Sequence, residues 1–195
     1  MTALTVRAIP AARRASALYC ATYGSGTPLL FIHGFGACGT AFQPLALRLA
    51  SRYQSIVPDL RGHGQSHRLP LADSIQRLAG DIRDLLDLLG VNSTFVVGHA
   101  GGAAVALQLA ADQPSRIRGL ALISPPPLVS PARRPLAMRF RSGIAAMLGQ
   151  NENAGTHNAH ACQRLLQHFD MRVALRSIDA PTLVIAGGDD PISTP

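Results

Sequence analysis

Continuous apolar runs alternate with amphipathic segments along most of this chain. Short runs rich in Val, Ile, Leu, Phe and Thr predict β-strands, and segments with apolar residues three and four positions apart predict α-helices. Strands without polar alternation are typical of a sheet that is covered on both faces. The pattern therefore predicts an α/β fold with a mostly parallel sheet between layers of helices. The predicted strands are 3–9, 15–23, 29–32, 56–58, 93–97, 117–123 and 182–187.

The clearest helix is predicted over residues 74–89, where seven apolar residues recur at helical spacing. Asp73 or Ser74 stands where a side chain can cap the first turn. Gly90 follows the last apolar position and can end the helix in a left-handed conformation. We expect this segment to cover one face of the sheet.

Two further helices are predicted in the first two thirds of the chain. The segment 101–112 is nearly all small or apolar, which is typical of a helix buried against the centre of a sheet. The segment 40–52 is amphipathic and predicts a helix with one inward face. That inward face consists of Phe42, Leu45, Ala46, Leu49 and Ala50.

Residues 125–177 break the alternation of strands and helices. Several prolines make its entry irregular, and 136–148 then predicts a basic amphipathic helix. Residues 149–158 are polar and predict a connector, and 159–175 predicts another helix with an apolar side. We interpret the whole segment as an insertion between two parts of the sheet.

Composition restricts the function classes only slightly. The chain has 195 residues, 47% hydrophobic and 15% charged, which suits one domain with a sizeable core. Its formal net charge is +7, but every basic residue other than histidine is arginine and no nucleic-acid motif accompanies the charge, so we expect no nucleic-acid partner. No apolar run is long enough to predict a membrane span, and no signal-peptide pattern is present. The three cysteines have no metal-site spacing and indicate free thiols in the cytoplasm.

The most informative motif is Gly98-His99-Ala100-Gly101-Gly102, which joins the predicted strand 93–97 to the predicted helix 101–112. Strand, sharp glycine-flanked turn and helix are the context of the G-x-S-x-G nucleophile elbow. Here the central position holds alanine, whose methyl group has no lone pair and cannot attack a carbonyl. The motif therefore indicates a hydrolase-like turn without its nucleophile.

Three other motifs stand in a fixed order around this turn. The sequence His33-Gly34-Phe35-Gly36 follows a buried strand, and Asp59 to Ser66 follows the next one. Near the end of the chain, a strand-like run from Pro181 leads to Asp189 and Asp190. Together with the alanine turn, this order resembles the α/β-hydrolase fold family, in its esterase, haloperoxidase and lactonase branch. The resemblance covers roughly residues 15–125 and 178–195.

The resemblance implies a three-layer α/β-hydrolase fold with a mostly parallel sheet. The core would comprise residues 1–124 and 178–195, and residues 125–177 would form a short helical cap over the site. In this family a further strand and a catalytic histidine follow the acid, and neither is present before Pro195. We therefore expect a C-terminally truncated version of the fold.

The resemblance also assigns candidate site residues. Ala100 occupies the nucleophile position and Asp190 that of the triad acid, with Asp189 as the alternative. The backbone N–H groups of Phe35 and Gly101 would form the oxyanion hole. No cofactor or metal is implied.

The remaining polar residues of these motifs are interpreted as structural. Their ring, carboxylate, guanidinium and hydroxyl groups are expected to brace loops or to pack, and His99 is expected to be buried. These residues are His33, Asp59, Arg61, His63, Ser66 and His99. His157, His160 and His168 all precede Asp190, so none fits the family order of nucleophile, acid and histidine.

Three hypotheses on function remain open. The family reaction is hydrolysis of a small carboxylic ester or lactone by a serine nucleophile, although related proteins include haloperoxidases and carbon–carbon bond hydrolases. This chain is predicted to be inactive as written, because Ala100 replaces the serine and no histidine stands in the triad position. Alternatively, it is a non-catalytic pseudo-hydrolase that binds a small apolar ligand, or it is an engineered or truncated piece of an active enzyme. Its partner is predicted to be a small ester-like molecule, and its oligomeric state is left open.

Overall fold

A seven-stranded sheet forms the centre of the structure, a computed structural model that describes residues 7–9, 18–126, 164–166, 169, 170, 172 and 175–188. In chain order the strands are β1 (Arg7–Ile9), β2 (Cys20–Tyr23), β3 (Thr27–Ile32), β4 (Tyr53–Pro58), β5 (Thr94–His99), β6 (Ile117–Ile123) and β7 (Thr182–Ile185). Their spatial order is β1-β2-β4-β3-β5-β6-β7. The first two pairings are antiparallel and the other four are parallel, which confirms the prediction of a mostly parallel sheet.

Helices cover both faces of the sheet and make the fold three-layered. One apolar cluster joins α2 (Ile75–Leu88) and α3 (Gly101–Asp112) to one face, through residues such as Leu30, Val96 and Leu122. A smaller cluster joins α1 (Gln43–Leu49) to the other face around Phe31. Burial of these apolar side chains is the main term that stabilises such an arrangement. Among the residues that the structure describes, no helix is both long and apolar enough to cross a membrane.

The predicted end signals of α2 are confirmed. The Ser74 hydroxyl accepts a hydrogen bond from the backbone N–H of Arg77 at 3.2 Å, which satisfies one donor of the first turn. Gly90 has a φ of +66°, the left-handed conformation that ends many helices. The helix buries Leu78, Ile82 and other apolar residues of its predicted face against the sheet.

The helix predicted over 40–52 is shorter than expected, and one part of its inward face is wrong. A 3-10 turn over Gly39–Phe42 precedes α1, which ends at Leu49. Ala46 is fully buried, whereas Leu45 is 42% exposed. Phe42, Ala46, Leu49 and Ala50 keep the helical period and pack on the smaller core cluster, so Leu45 lies at the edge of the inward face and stays exposed.

The parallel strands bring several loops to one edge of the sheet. Because β3, β4, β5 and β6 run in the same direction, the segments that follow them all emerge at their carboxyl ends. These segments contain the loops 33–39 and 59–66, the turn at Ala100, and Ser124. Every motif from residue 33 to residue 102 that the sequence singled out therefore meets at this edge.

Strand β7 is poorly covered on both of its faces. It pairs with β6 on one side and is the last strand of the sheet in the described part of the chain. Leu183, Val184 and Ile185 are 58%, 57% and 47% exposed.

Most of the predicted cap, including 136–148, lies outside the described residues. Leu165 and Leu166 are helical and pack against the larger core cluster.

The exposed apolar strand β7 predicts self-association of this 195-residue chain. Unpaired, uncharged edge strands are templates for pairing with another chain, and a lysine on such an edge opposes it. We expect oligomers in size-exclusion chromatography and strong binding of a hydrophobic dye, and we expect Leu183→Lys to reduce both.

Leu88→Lys is the matched control, because Leu88 is 55% exposed but lies on a helix. A similar reduction with Leu88→Lys would show that general charge, and not the sheet edge, controls association. A monomeric wild-type chain with little dye binding would contradict the prediction outright.

Candidate active site

Ala100 has a backbone conformation that side-chain-bearing residues rarely adopt. Its φ is 48° and its ψ is −119°, and it stands between the last residue of β5 and the first of α3. Two hydrogen bonds hold it there: its N–H donates to the carbonyl of Ile123 at 2.9 Å, and its carbonyl accepts from the N–H of Ala103 at 2.9 Å. Such strained conformations cost about 1–3 kcal/mol and persist where the surrounding structure imposes them.

The glycines that flank this turn are required by backbone neighbours. A Cβ on Gly98 would lie 2.8 Å from the Cα of Ala103, and one on Gly102 would lie 2.5 Å from the carbonyl oxygen of His33 and even closer to that of Ile32. Both distances are too short for real carbon and oxygen atoms. The start of α3 is therefore packed directly on the end of β3, with no room for side chains between them.

The loop 33–39 lies directly against this turn. A Cβ on Gly34 would lie 3.4 Å from the Cβ of Ala100, and the Phe35 ring occupies the space next to Gly101. Phe35 itself is half-buried, and its ring centroid lies 6.3 Å from that of His63. The loop and the helix start thus form one packed unit beside Ala100.

His33 ties this loop to the loop after β4, as expected of a bracing residue. Its Nε2 accepts a hydrogen bond from the N–H of Leu60 at 2.9 Å, so its Nδ1 carries the proton and donates to the carbonyl of Gly34 at 2.9 Å. The ring is fully buried. Burial, and secondarily the neighbouring His63, lower the pKa of His33 to about 3.

Asp59 makes the second connection between the two loops. One carboxylate oxygen accepts from the N–H of Gly39 at 2.6 Å, and the other accepts from the N–H of Gln65 at 2.7 Å. Burial raises the pKa of Asp59, and these two amides and His63 oppose that rise. His33 and Asp59 therefore fix the two ends of the loop 33–39.

The loop after β4 is itself held in place. Arg61 donates two hydrogen bonds to the buried carboxylate of Asp81 on α2, from Nε at 2.6 Å and from Nη2 at 2.8 Å. Ser66 accepts a hydrogen bond from the N–H of Tyr19 at 2.9 Å. These contacts agree with the structural roles that the sequence suggested for Arg61 and Ser66.

Two backbone donors remain beside Ala100. In the described part of the chain, neither the N–H of Phe35 nor that of Gly101 donates a hydrogen bond to another protein group. Gly101 is the first residue of α3, whose N–H has no partner within the helix and carries part of the positive end of the helix dipole. The site can thus offer N–H groups to an oxygen atom of a ligand.

Comparison with known proteins identifies the family to which this fold belongs. A family model described as the alpha/beta hydrolase fold matches residues 27–151, which is more than half of the chain. The chain belongs to the α/β-hydrolase fold family. The fold and the family that the four motifs predicted are therefore confirmed.

Relatives within the α/β-hydrolase family have several different activities in their names. Epoxide hydrolase 2 from Siraitia grosvenorii is 35% identical over 137 residues, which are 69% of this chain and 42% of that protein. The 2-(acetamidomethylene)succinate hydrolase from Mesorhizobium japonicum is 34% identical over 106 residues, 54% of this chain and 38% of that protein. The chain thus spans about two fifths of the length of these curated relatives.

A solved structure of an N-acyl homoserine lactone degrading enzyme also has this α/β-hydrolase fold. It superposes with a TM-score of 0.77 at 26% sequence identity, and the alignment covers 91% of this chain and 80% of that one.

The structure brings together only some of the residues that the sequence proposed for the α/β-hydrolase site. Phe35, Ala100 and Gly101 meet at the carboxyl edge of the sheet. His99 was expected to be buried, but it is only half-buried, with its ring beside the loop 33–39, where a Cβ on Gly34 would lie 3.2 Å from its Nδ1. Within the described ranges, no three His, Cys, Asp or Glu side chains cluster in a way that could hold a metal ion. The following residues lie outside the described part: His157, His160, His168, Asp189 and Asp190.

Two features of this α/β-hydrolase site were not anticipated. The first is Asp81, whose carboxylate holds Arg61 in place. Its burial could have been inferred from its position between Leu78 and Leu85, because an acidic residue on the apolar side of a helix needs a charged partner. Ser124 at the end of β6 has a φ of 45°, the second residue other than glycine with a positive φ in the described part. Ser124 stands just before three prolines, which indicates the end of a strand but does not indicate a positive φ.

Relief of the strain at position 100 should stabilise the fold. Glycine adopts positive φ without steric cost but adds freedom to the unfolded chain, so we expect Ala100→Gly to raise the free energy of unfolding by about 1 kcal/mol. Ala111→Gly, in the last turn of α3, should lower it by up to about 1 kcal/mol. Chemical denaturation of both variants measures these values, and a loss of stability for Ala100→Gly would contradict a strained turn.

The buried histidines should make the fold sensitive to acid. In the unfolded chain His33 has its ordinary pKa near 6.5, whereas in the folded protein its pKa is about 3. Below the unfolded pKa the unfolded state therefore binds more protons, so stability falls as pH drops from 6.5 towards 3. The loss should approach about 1.4 kcal/mol per pH unit from this group, and His63, whose pKa burial also lowers, should add to it.

Nitrogen chemical shifts of the His33 ring would check this directly. At about pH 5 we expect a neutral ring with its proton on Nδ1. A titration midpoint near the ordinary histidine value would contradict the tautomer and its burial.

Proposed function

We propose that this chain has the carbonyl-binding half of a site for hydrolysis of small carboxylic esters or lactones, with Ala100 at the nucleophile position. The observation that carries the proposal is the conformation of Ala100, with a φ of 48° and a ψ of −119° between β5 and α3. A turn of this shape presents the central side chain at the carboxyl edge of the sheet, where the nucleophile elbow of this fold presents its serine.

The two unpaired backbone donors support the same proposal. The N–H groups of Phe35 and Gly101 would bind the carbonyl oxygen of the substrate and the negative charge that develops on it. Because main-chain donors are fixed by the fold, they need no reorganisation when a ligand arrives. Neither donor depends on the side chain at position 100.

The alanine predicts that binding is not followed by attack. A methyl group can neither form an acyl-enzyme nor give up a proton. Triad enzymes that lose such groups keep about 10³–10⁴-fold acceleration over water from the oxyanion hole and substrate binding alone. We therefore infer that the chain as written binds an ester-like molecule without turnover at a useful rate.

The names of the relatives fit a small-molecule ligand. One similar structure is of an enzyme that degrades N-acyl homoserine lactones, and two similar curated proteins are named as hydrolases. We carry over the ligand class, a small molecule with an acyl group. The roles of Asp190 as the acid and of 125–177 as a cap belong to this proposal as well.

The second candidate is a pseudo-hydrolase that binds a small apolar ligand. The same alanine favours it, and the half-buried Phe35 ring beside Ala100 gives the site an apolar surface. The two candidates differ in what they bind, because an oxyanion hole prefers a negatively charged oxygen and an apolar cleft does not.

Butyrate, a carboxylate product of ester hydrolysis, distinguishes these candidates. In amide nuclear magnetic resonance spectra we expect butyrate to shift the signals of Phe35 and Gly101, with butanol as the uncharged control causing smaller changes. In parallel, p-nitrophenyl acetate should be hydrolysed at the background rate, and a fluorophosphonate probe should not label the protein. Equal effects of butanol and butyrate would favour the apolar-ligand candidate, and no binding at these amides would refute the proposal.

Ala100→Ser tests the assignment of the nucleophile position. We expect only a small gain in ester hydrolysis, because a serine also needs a base, and both ring nitrogens of the buried His33 are already hydrogen-bonded. Normal ester turnover in this variant would show that the chain already has a competent base. Enzyme-like turnover in the wild-type chain, with labelling at another residue such as Cys38, would refute the predicted inactivity.

A further inference from the structure

Position 101 requires a glycine for a different reason from positions 98 and 102. Its φ is not in the positive region, so its backbone conformation is open to any residue. A Cβ at this position would lie 2.5, 2.6 and 2.7 Å from three carbon atoms of the Phe35 ring, namely Cδ2, Cγ and Cε2. The three atoms nearest to such a Cβ are thus all ring atoms, whereas at Gly98 and Gly102 they are all backbone atoms.

The Phe35 ring also has an aromatic neighbour. The ring of His63 lies 6.3 Å from it, centroid to centroid, and the His63 ring lies 5.3 Å from that of His33. His63 is buried, and its Nδ1 is within hydrogen-bond distance of the carbonyl of Arg61, at 3.0 Å. The Phe35 ring therefore contacts Gly101 and lies near a buried histidine that is itself hydrogen-bonded.

Phe35 and Gly101 are also the residues whose N–H groups form the proposed oxyanion hole. We propose that the Phe35 ring, seated on Gly101, is a spacer that sets the separation of these two N–H groups, which makes Phe35 a positioning residue for the oxyanion. This inference rests on the proposed function and adds to it the contact that sets the geometry of the donors.

The packing around Gly101 determines which atoms move when a side chain is added at position 101. The start of α3 cannot retreat, since Gly102 is packed on the carbonyls of Ile32 and His33 and the N–H of Ala100 is bonded to Ile123. The Phe35 ring must therefore move, either alone or together with the middle of the loop that carries it. A shift of the loop displaces the N–H of Phe35 relative to that of Gly101, whereas rotation of the ring about χ1 alone would leave both N–H groups in place.

A double-mutant cycle on butyrate affinity tests the spacer. We expect Gly101→Ala to weaken butyrate binding about tenfold, because a hydrogen bond to a charged group contributes that much or more. In the Phe35→Ala background there is no ring to displace, and the same Gly101→Ala change should alter the affinity by less than about twofold. Affinities are read from the Phe35→Ala, Gly101→Ala, doubly substituted and wild-type chains by butyrate titration.

Gly80→Ala is the matched control. Gly80 lies in α2, and the nearest atom to a Cβ there is Nη2 of Arg83 at 4.0 Å, so the change should leave butyrate affinity unaltered. If Gly101→Ala does not fold, recovery of folding in the double variant supports the contact, and failure of both to fold overturns it. Equal effects of Gly101→Ala with and without the ring overturn the spacer while leaving the proposed function intact. Absence of butyrate binding in the wild-type chain refutes the proposed function, and the spacer with it.

Discussion

Close packing of main chain on main chain at one point controls the rest of this site. The start of α3 lies directly on the end of β3, where Gly102 leaves no space for a side chain above the carbonyls of Ile32 and His33. This contact fixes where the helix begins and forces the preceding residue, Ala100, into a conformation with positive φ. It also leaves the first N–H groups of α3 pointing out of a helix that cannot shift. The helix start, the conformation of Ala100 and the direction of the first N–H groups of α3 therefore all require a glycine at position 102.

A second layer of constraint comes from two buried polar residues. His33 and Asp59 each bridge the loops 33–39 and 59–66 through hydrogen bonds with main-chain groups, and each is almost fully buried. These hydrogen bonds stabilise the loops because breaking one would leave a buried donor or acceptor without a partner, which costs about 1–3 kcal/mol of folding free energy. Such contacts favour one arrangement of the loops over many alternatives. The loop that carries Phe35 is thereby held at both ends by groups that are remote from any ligand.

Much of this could be predicted from the sequence, and the failures have identifiable causes. Strand β5, helix α3 and helix α2 have strong local signals, which are an apolar run, a run of small residues and a capped amphipathic period. The exposure of Leu45 was not predictable, because this residue lies at the edge of the inward face of α1, and the width of that face depends on how the helix packs on the sheet. The partial exposure of His99 depends on which strands and helices cover its face of the sheet, a tertiary property that its neighbours in sequence do not encode. The pairing of Arg61 with Asp81 joins residues 20 positions apart, and spacing alone gives no reason to connect them.

Binding and chemical reaction depend on different parts of this structure. The proposed oxyanion donors are main-chain groups held by glycine packing, by His33 and Asp59, and by an aromatic ring, and none of these contacts involves the side chain of Ala100. A nucleophile, by contrast, would be a single side-chain atom at that position. Replacing a hydroxymethyl group with a methyl group removes the reacting atom but leaves the turn, the donors and their spacing in place. The persistence of a strained φ at an alanine follows from this separation, since the surrounding main chain imposes the conformation whether or not the residue can react.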